Sequence, residues 1–182
     1  MHSIDDINTV MQQADCLYDD KQVQKSLDHM ALLIKKDLEK ENPIFISVLT
    51  GAMVPVGHLL TRIDFPLELD YIHATRYDGE LKGTELKWLV EPRCSLKDRV
   101  VVIVDDIYDE GYTLEAIISY CESKGAAMVK SAVLVEKEHN RGVKLSIDYV
   151  GLKVPDRYVF GYGMDYKGYL RNANGIYAVK GL

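Results

Sequence analysis

Residues 99–118 read RVVVIVDDIYDEGYTLEAII, and this stretch decides the fold. Val100 to Val104 is an apolar, β-branched run, too short for a helix and suited to a strand buried on both faces. Asp105 and Asp106 follow at once, then Asp109, Glu110 and Gly111. Thr113 stands where it would cap a helix carrying Leu114, Ile117, Ile118 and Cys121 on one face. The expected unit is therefore strand, acidic loop, helix N-terminus. It sets backbone N–H groups and the positive end of a helix dipole beside a cluster of carboxylates. That combination suits a ligand with a phosphate at one end and hydroxyls or a metal ion at the other. A plainer reading, in which the acids only favour the helix start and face water, accounts well for a single Asp. It accounts less well for three Asp, one Glu and a Gly-x-Thr between Asp105 and Thr113.

Outward toward the amino terminus, Ile44 to Leu49 (IFISVL) reads as a buried strand ending in Thr50–Gly51–Ala52. Pro55 falls in the first turn of the helix that follows, where a missing N–H costs little. This is a second strand–turn–helix unit and a second candidate anion seat. Leu67, Leu69 and Tyr71 alternate with polar neighbours in a strand that runs to Tyr77, and Glu85 to Val90 is its returning strand. Between them, Asp78 to Thr84 is polar and twice broken by Gly, which fits a flexible lid loop or a plain hairpin connection. Two helices open the chain. Ser3 with Asp6 forms a capping-box pattern beside Ile4, Ile7, Val10 and Met11. Val23, Leu27, Ala31, Ile34 and Leu38 mark a second face that stops at Asn42–Pro43. Both helices are expected to cover a sheet.

Toward the carboxyl terminus, Gly125 ends the central helix and Met128 to Val135 is another buried strand. Glu136 to Arg141 is a charged loop at that strand's carboxyl end, where ligands of open α/β sheets collect. Between Pro155 and Tyr166, aromatic rings, glycines and Asp165 crowd together, fitting a pocket for a flat ring or an oligomer contact. The β/α alternation predicts an α/β fold, a mostly parallel central sheet flanked by helices.

A chain of 182 residues with 47% hydrophobic and 27% charged content suits one soluble domain with its own core. Its net charge of −6 argues against a general nucleic-acid binder, which needs Lys and Arg in excess. A small phosphorylated ligand held by local N–H groups stays open. The three cysteines, Cys16, Cys94 and Cys121, are odd in number and lack C-x-x-C spacing, pointing to a reducing compartment without disulfides or zinc. The first twenty residues are acidic and periodic, unlike a signal peptide. No apolar run nears membrane-spanning length. A cytoplasmic protein with no nucleic acid and no membrane as partner is expected.

Residues 101–114, VVIVDDIYDEGYTL, resemble the diphosphate-sugar signature of type I phosphoribosyltransferases. The tail PDRYVFGYGMDYKGYLR, residues 155–171, resembles the hypoxanthine-guanine branch of that family, as does Asp70–Tyr71–Ile72 ahead of Arg76–Tyr77. The resemblance runs from Pro43 to the end. It implies the type I phosphoribosyltransferase fold with a small hood and a flexible lid loop. Residues 1–182 would then form one domain, with N-terminal helices at 1–42, a core at 43–145 and a purine-binding hood region at 146–182. It implies a purine salvage enzyme that transfers ribose 5-phosphate from phosphoribosyl diphosphate to hypoxanthine or guanine, releasing diphosphate, with magnesium (Mg2+). A homodimer or homotetramer is implied as well.

The resemblance also implies roles. Asp105 and Asp106 would hold the ribose hydroxyls, and both, with Asp165, would serve the metal. Asp109, Glu110, Gly111, Tyr112 and Thr113 would seat the 5′-phosphate. Asp109 matches the general base or acid toward purine N7; crowded by acids and partly buried, its pKa is expected to be raised. Lys137 would donate to the purine's exocyclic oxygen and so reject adenine. Tyr158 would stack on the base, Val159 would offer its backbone to the Watson–Crick edge, and Asp165 would adjoin the purine. Thr50 and Gly51, with Arg171, would meet diphosphate, and a non-proline cis peptide is implied at Leu49–Thr50. Thr50 stands where many relatives carry Lys or Arg, and Arg76, beside Tyr77, offers a replacement charge. Glu110 stands where a small Thr is common and should point away from the phosphate. Two rivals carry less: a non-catalytic regulator of the same fold that senses nucleotides, and a receiver domain. The acidic balance opposes the first, and too little chain follows Asp105–Asp106 for the second.

Overall fold

The computed structural model describes residues 3–76 and 86–181. Tyr77 and the lid expectation at Asp78 to Thr84 lie outside the described residues, as does the side chain of Arg76. In chain order the elements are α1 (Ile4–Gln13), β1 (Asp15–Asp19), α2 (Asp20–Leu38), β2 (Ile44–Leu49), α3 (Met53–Leu60), β3 (Glu68–Arg76) and β4 (Leu86–Val90). Then come β5 (Val100–Tyr108), α4 (Tyr112–Ser123), β6 (Met128–Glu138), β7 (Tyr149–Pro155), β8 (Val159–Phe160) and β9 (Gly175–Ala178).

Among the described residues, six strands form the main sheet in the order β4-β3-β2-β5-β6-β7. Neighbours pair parallel from β3 across to β7, and β4 alone runs antiparallel at the edge. The apolar runs of β2 and β5 occupy the middle, and Phe45, Ile46, Val101, Val102 and Ile103 are fully buried there. Helix α2 packs on β7 and α3, α3 also touches β2 and β5, and α4 lies on β5 and β6. This is the mixed, mostly parallel sheet flanked by helices that the β/α alternation demands.

Several elements depart from the expectation, each through a long-range partner. Strand β5 does not stop at Val104: its pairing with β6 persists through Tyr108↔Glu136, so Asp105 and Asp106 are strand residues rather than loop residues. Pairing of β6 with β7 likewise continues to Glu138↔Pro155, which puts Lys137 on a strand. Helix α4 starts at Tyr112, two residues earlier than a Thr113 cap would have set it. Its N-cap is Gly111, left-handed at φ 81°, with no side-chain cap. A Cβ at Gly111 would come within 2.7 Å of the Tyr108 ring and 2.9 Å of the Val143 carbonyl, so only Gly fits.

The N-terminal segment is not purely helical. Strand β1 pairs antiparallel with β9, and β9 with β8, making a separate three-stranded sheet. Ser3 and Asp6 do form a reciprocal capping box. Yet of the apolar face expected for α1 only Ile7 is buried, and Ile4 is 76% exposed. By contrast α2 buries its entire expected face. Burial pushes the Cys94 and Cys121 thiols up to about 11 and about 12, which leaves them unreactive packing groups.

Candidate active site

The carboxyl ends of β5 and β6, the start of α4 and the tail around β8 converge on two adjoining cavities. The first, of ≈ 310 Å³, is lined by Asp106, Ile107, Asp109, Lys137, Tyr158, Val159, Met164 and Asp165. The second, of ≈ 230 Å³, is lined by residues 105–111 with Thr113 and Leu114. Asp106, Ile107 and Asp109 wall both. A parallel sheet opens its ligand cleft at this end because the strand-to-helix turns gather there.

Burial dominates the acids on β5. Asp105 is driven well above the ordinary carboxylate range by desolvation and then by the neighbouring Asp106 charge. Asp106 is also raised by burial, against the pull of its hydrogen bond with Asp105 and the Arg171 charge. Two carboxylates at one strand end, both penalised for their charge, are ready partners for hydroxyl donors or a cation. Arg171 donates to the Gly163 carbonyl at 2.6 Å and sits 2.6 Å from Asp165 Oδ1, while Asp165 Oδ2 accepts from the Gly168 N–H at 2.6 Å. Each Asp165 oxygen keeps a second lone pair. Asp105, Asp106 and Asp165 supply carboxylate oxygens, the donor type a hard cation such as magnesium takes, and Asp106 and Asp165 line the same cavity.

Asp109 corrects the expectation of a raised pKa. Desolvation is the largest influence and does push upward. The hydrogen bonds from Lys137 and His139, together with the charges of Lys137 and Arg141, outweigh it and hold the carboxyl below its ordinary value. The surrounding groups are bases, not the acids that the sequence places next to it. Lys137 Nζ lies 2.8 Å from Asp109 Oδ2, His139 Nε2 2.6 Å from Oδ1, and Arg141 Nη2 3.3 Å from the same Oδ1. Asp156 closes the cluster by pairing with both guanidinium nitrogens of Arg141. Asp109, His139 and Asp156 hold possible metal-ligand atoms within 4.8 Å of one another, but Lys137 and Arg141 already supply the positive charge there. His139, Arg141 and Asp156 received no role from sequence. The signal for His139 and Arg141 was a charged loop at a strand's carboxyl end, and Asp156 stood inside the tail motif of residues 155–171. Ile107 and Met164 of the first cavity went unassigned too.

The remaining expected residues are placed as follows. Glu110 Oε1 lies 3.7 Å from Arg141 Nε, which offsets its charge at the phosphate-loop cavity. Tyr112 is 37% exposed at the head of α4, and Tyr158 is 40% exposed in edge contact with Tyr166. Val159 is buried and pairs with Ala178 of β9. The Leu49–Thr50 peptide is cis. Thr50 is exposed, and Gly51 packs so tightly on Asp106 that a Cβ would fall 2.1 Å from its Oδ2. Neither Thr50 nor Gly51 lines the two cavities. The loop of residues 139–145 is tied to the acidic turn: Val143 N–H donates to the Glu110 carbonyl at 2.8 Å, and the Tyr108 hydroxyl donates to Val143 O at 2.5 Å.

The chain is similar in sequence and in fold to known proteins. The phosphoribosyl transferase domain matches residues 13–167. A hypoxanthine-guanine-xanthine phosphoribosyltransferase from Tritrichomonas foetus is 32% identical over 157 residues, 86% of each chain. The chain belongs to the phosphoribosyltransferase family, in its hypoxanthine-guanine type. A bifunctional TilS/HprT protein from Listeria monocytogenes is also 32% identical over 157 residues, but this phosphoribosyltransferase chain spans only 24% of that protein's length. In structure, a hypoxanthine phosphoribosyltransferase from Staphylococcus aureus superposes with a TM-score of 0.89 at 25% identity, covering 94% of this chain and 95% of that one. No helix of this phosphoribosyltransferase, among the described residues, is long and apolar enough to cross a membrane.

Proposed function

We propose that the chain transfers ribose 5-phosphate from phosphoribosyl diphosphate to hypoxanthine or guanine, giving IMP or GMP and diphosphate. The observation that carries this reading is one cleft in which Asp109 and Lys137 share a cavity with Tyr158, walled by acids that also line the phosphate-loop cavity. In this reading the first turn of α4 and Thr113 hold the 5′-phosphate with neutral donors. Asp105 and Asp106 accept the ribose hydroxyls, and the positive charge that grows on the oxocarbenium-like sugar as the diphosphate bond breaks favours their ionised form and is stabilised by it. The purine lies against Tyr158 with its edge toward the Val159 main chain. Lys137 leaves Asp109 and donates to the purine's exocyclic oxygen, a contact adenine cannot accept because its amino group there is itself a donor. Asp109, ionised at neutral pH, then takes the N7 proton. Arg171 faces diphosphate, and Thr50, Gly51 and Arg76 border it.

Asp105, Asp106 and Asp165 are the residues that would hold magnesium. When bound, the ion supplies charge neutralisation for diphosphate. The cytoplasm is the proposed location, consistent with three free cysteines. A homodimer or homotetramer is proposed from an apolar cavity of ≈ 440 Å³ between α3 and β3, where Met53, Leu69 and Tyr71 stay exposed.

The test is incubation with radiolabelled hypoxanthine, phosphoribosyl diphosphate and magnesium, with a parallel adenine arm. Labelled IMP without labelled AMP is expected. Nucleotide binding with no product would replace this reading by the regulator, and equal use of adenine would remove Lys137 from the purine edge.

A further inference from the structure

The reading above gives no task to His139, although its side chain is only 7% exposed and meets the proposed base directly. We propose that His139 is a positioning residue for Asp109, gripping Oδ1 so that Oδ2 alone faces the purine proton. This rests on the proposed transfer to a 6-oxopurine. The two Asp109 oxygens are not equivalent. Oδ2 is met by Lys137 at 2.8 Å, whereas Oδ1 is met by His139 at 2.6 Å and by Arg141 at 3.3 Å. Only Lys137 has a second task at the purine, so only Oδ2 is vacated when substrate arrives.

The tautomer that this needs is set by the loop. His139 Nδ1 accepts the Arg141 backbone N–H at 3.2 Å, so a neutral imidazole carries its proton on Nε2 and donates to Asp109. Arg141 is in turn anchored by its fork on Asp156, which fixes the N–H that sets the tautomer. The groups facing Asp109 are then Lys137, His139 and Arg141, together with Asp156, whose carboxylate pairs with Arg141 and lies 3.9 Å from Lys137 Nζ, while Glu110 lies 3.7 Å from Arg141 Nε. As the purine N9–C1′ bond forms, the C1′–oxygen bond to diphosphate breaks and diphosphate leaves with that electron pair. The N7 proton passes to Oδ2, and the N7–H bonding pair stays on the ring. Throughout, His139 keeps the carboxylate from rotating, at the cost of a less basic Asp109. Loss of alignment at a reacting atom outweighs that gain in basicity, since misplacement by about 1 Å can cost about 10²-fold in rate.

The experiment uses the full chain with His139→Leu and His139→Gln. His139→Leu removes the donor and should lower kcat roughly 10- to 100-fold while KM for phosphoribosyl diphosphate stays within about twofold. It should also move the acid limb of the kcat pH profile upward, because Asp109 loses a donor that favours its charged form. His139→Gln keeps an N–H within reach and should recover most of the turnover and the acid limb. A His139→Leu kcat within about twofold of the parent overturns the proposal, as does a Gln variant as impaired as Leu. Should Leu fail to fold, nitrogen NMR of the parent decides the point. An Nε2–H tautomer for His139 supports it, and Nδ1–H overturns it. An unsubstituted chain that forms no nucleotide would strike the transfer reading instead, and the tautomer measurement still reports on the grip.

Discussion

The turn after β2 and the turn after β5 are built alike. Each follows a parallel strand buried at the centre of the sheet, and neither α3 nor α4 has a side-chain cap at its N-terminus. Their side chains part company. Residues 105–110 carry four acids, and Lys137 and Arg141 bring positive charge against two of them. Thr50–Gly51–Ala52 carries no ionisable group, and the helix it leads into opens on the apolar cavity of Leu49, Met53, Val56 and Leu60. The neutral turn serves instead as a wall. Gly51 packs against the buried Asp106 carboxylate, and its carbonyl sits where a Cβ at Gly163 would land 2.0 Å away. A helix start is a common source of N–H donors; which chemistry it joins depends on what the neighbouring strands bring to it.

This contrast can be broken most sharply at Asp109. Asp109→Asn should lower turnover roughly 10²–10⁴-fold with phosphoribosyl diphosphate affinity little changed, in steady-state kinetics alongside equilibrium binding. Turnover like that of the parent would leave the acidic turn as a binding device only. Next in size is Lys137→Ala, which should raise the purine KM by roughly tenfold or more and relax discrimination against adenine. An unchanged guanine KM would move the purine edge away from β6.

The neutral turn is tested by two glycines. Gly51→Ala should cost about 1–3 kcal/mol in urea unfolding, since the added methyl would fall 2.1 Å from the buried Asp106 carboxylate and force it to shift. Gly57→Ala, with nothing within 4 Å of its Cβ and a place inside α3, should instead stabilise by about 0.5–1 kcal/mol. Equal effects from the two would mean that the first turn is not a wall.

The smallest effect concerns acid. The folded Asp156 carboxyl is held below its usual range by the hydrogen bonds from Arg141, and Asp109 is held low by Lys137 and His139 against desolvation. For a depressed carboxyl, the stability is present above the unfolded pKa of about 4 and is lost as pH falls through the folded value. Arg141→Met should therefore be slightly less stable than the parent near neutrality, with the gap closing in acid. A gap of constant size across that range would show that Arg141 acts through packing rather than charge.

Much of the main sheet was legible because its signals are local. The apolar runs at Ile44 to Leu49 and Val100 to Val104, the stripe of α2 and the Ser3–Asp6 box each lie within one element. The small sheet was not. DCLYD is acidic and short, and it is a strand only because Asp15–Asp19 pairs with residues 175–178 at the far end of the chain. The unread parts of the site share that cause. His139 and Asp156 are unremarkable polar residues until the β6–β7 pairing sets them beside Asp109. Even the direction of the Asp109 shift turned on this, since sequence neighbours offered acids and spatial neighbours supplied bases.

By itself, the order of residues determined the α/β alternation, the acidic turn ahead of α4 and the family resemblance, because periodicity and turn chemistry act over a few residues at a time. Only the tertiary structure decided that Lys137, His139 and Arg141 divide the two oxygens of Asp109 among them, and that Gly51 abuts Asp106. Hydrogen bonds and charge pairs act over a few ångströms, and strands far apart in sequence must pair before those groups come within that range.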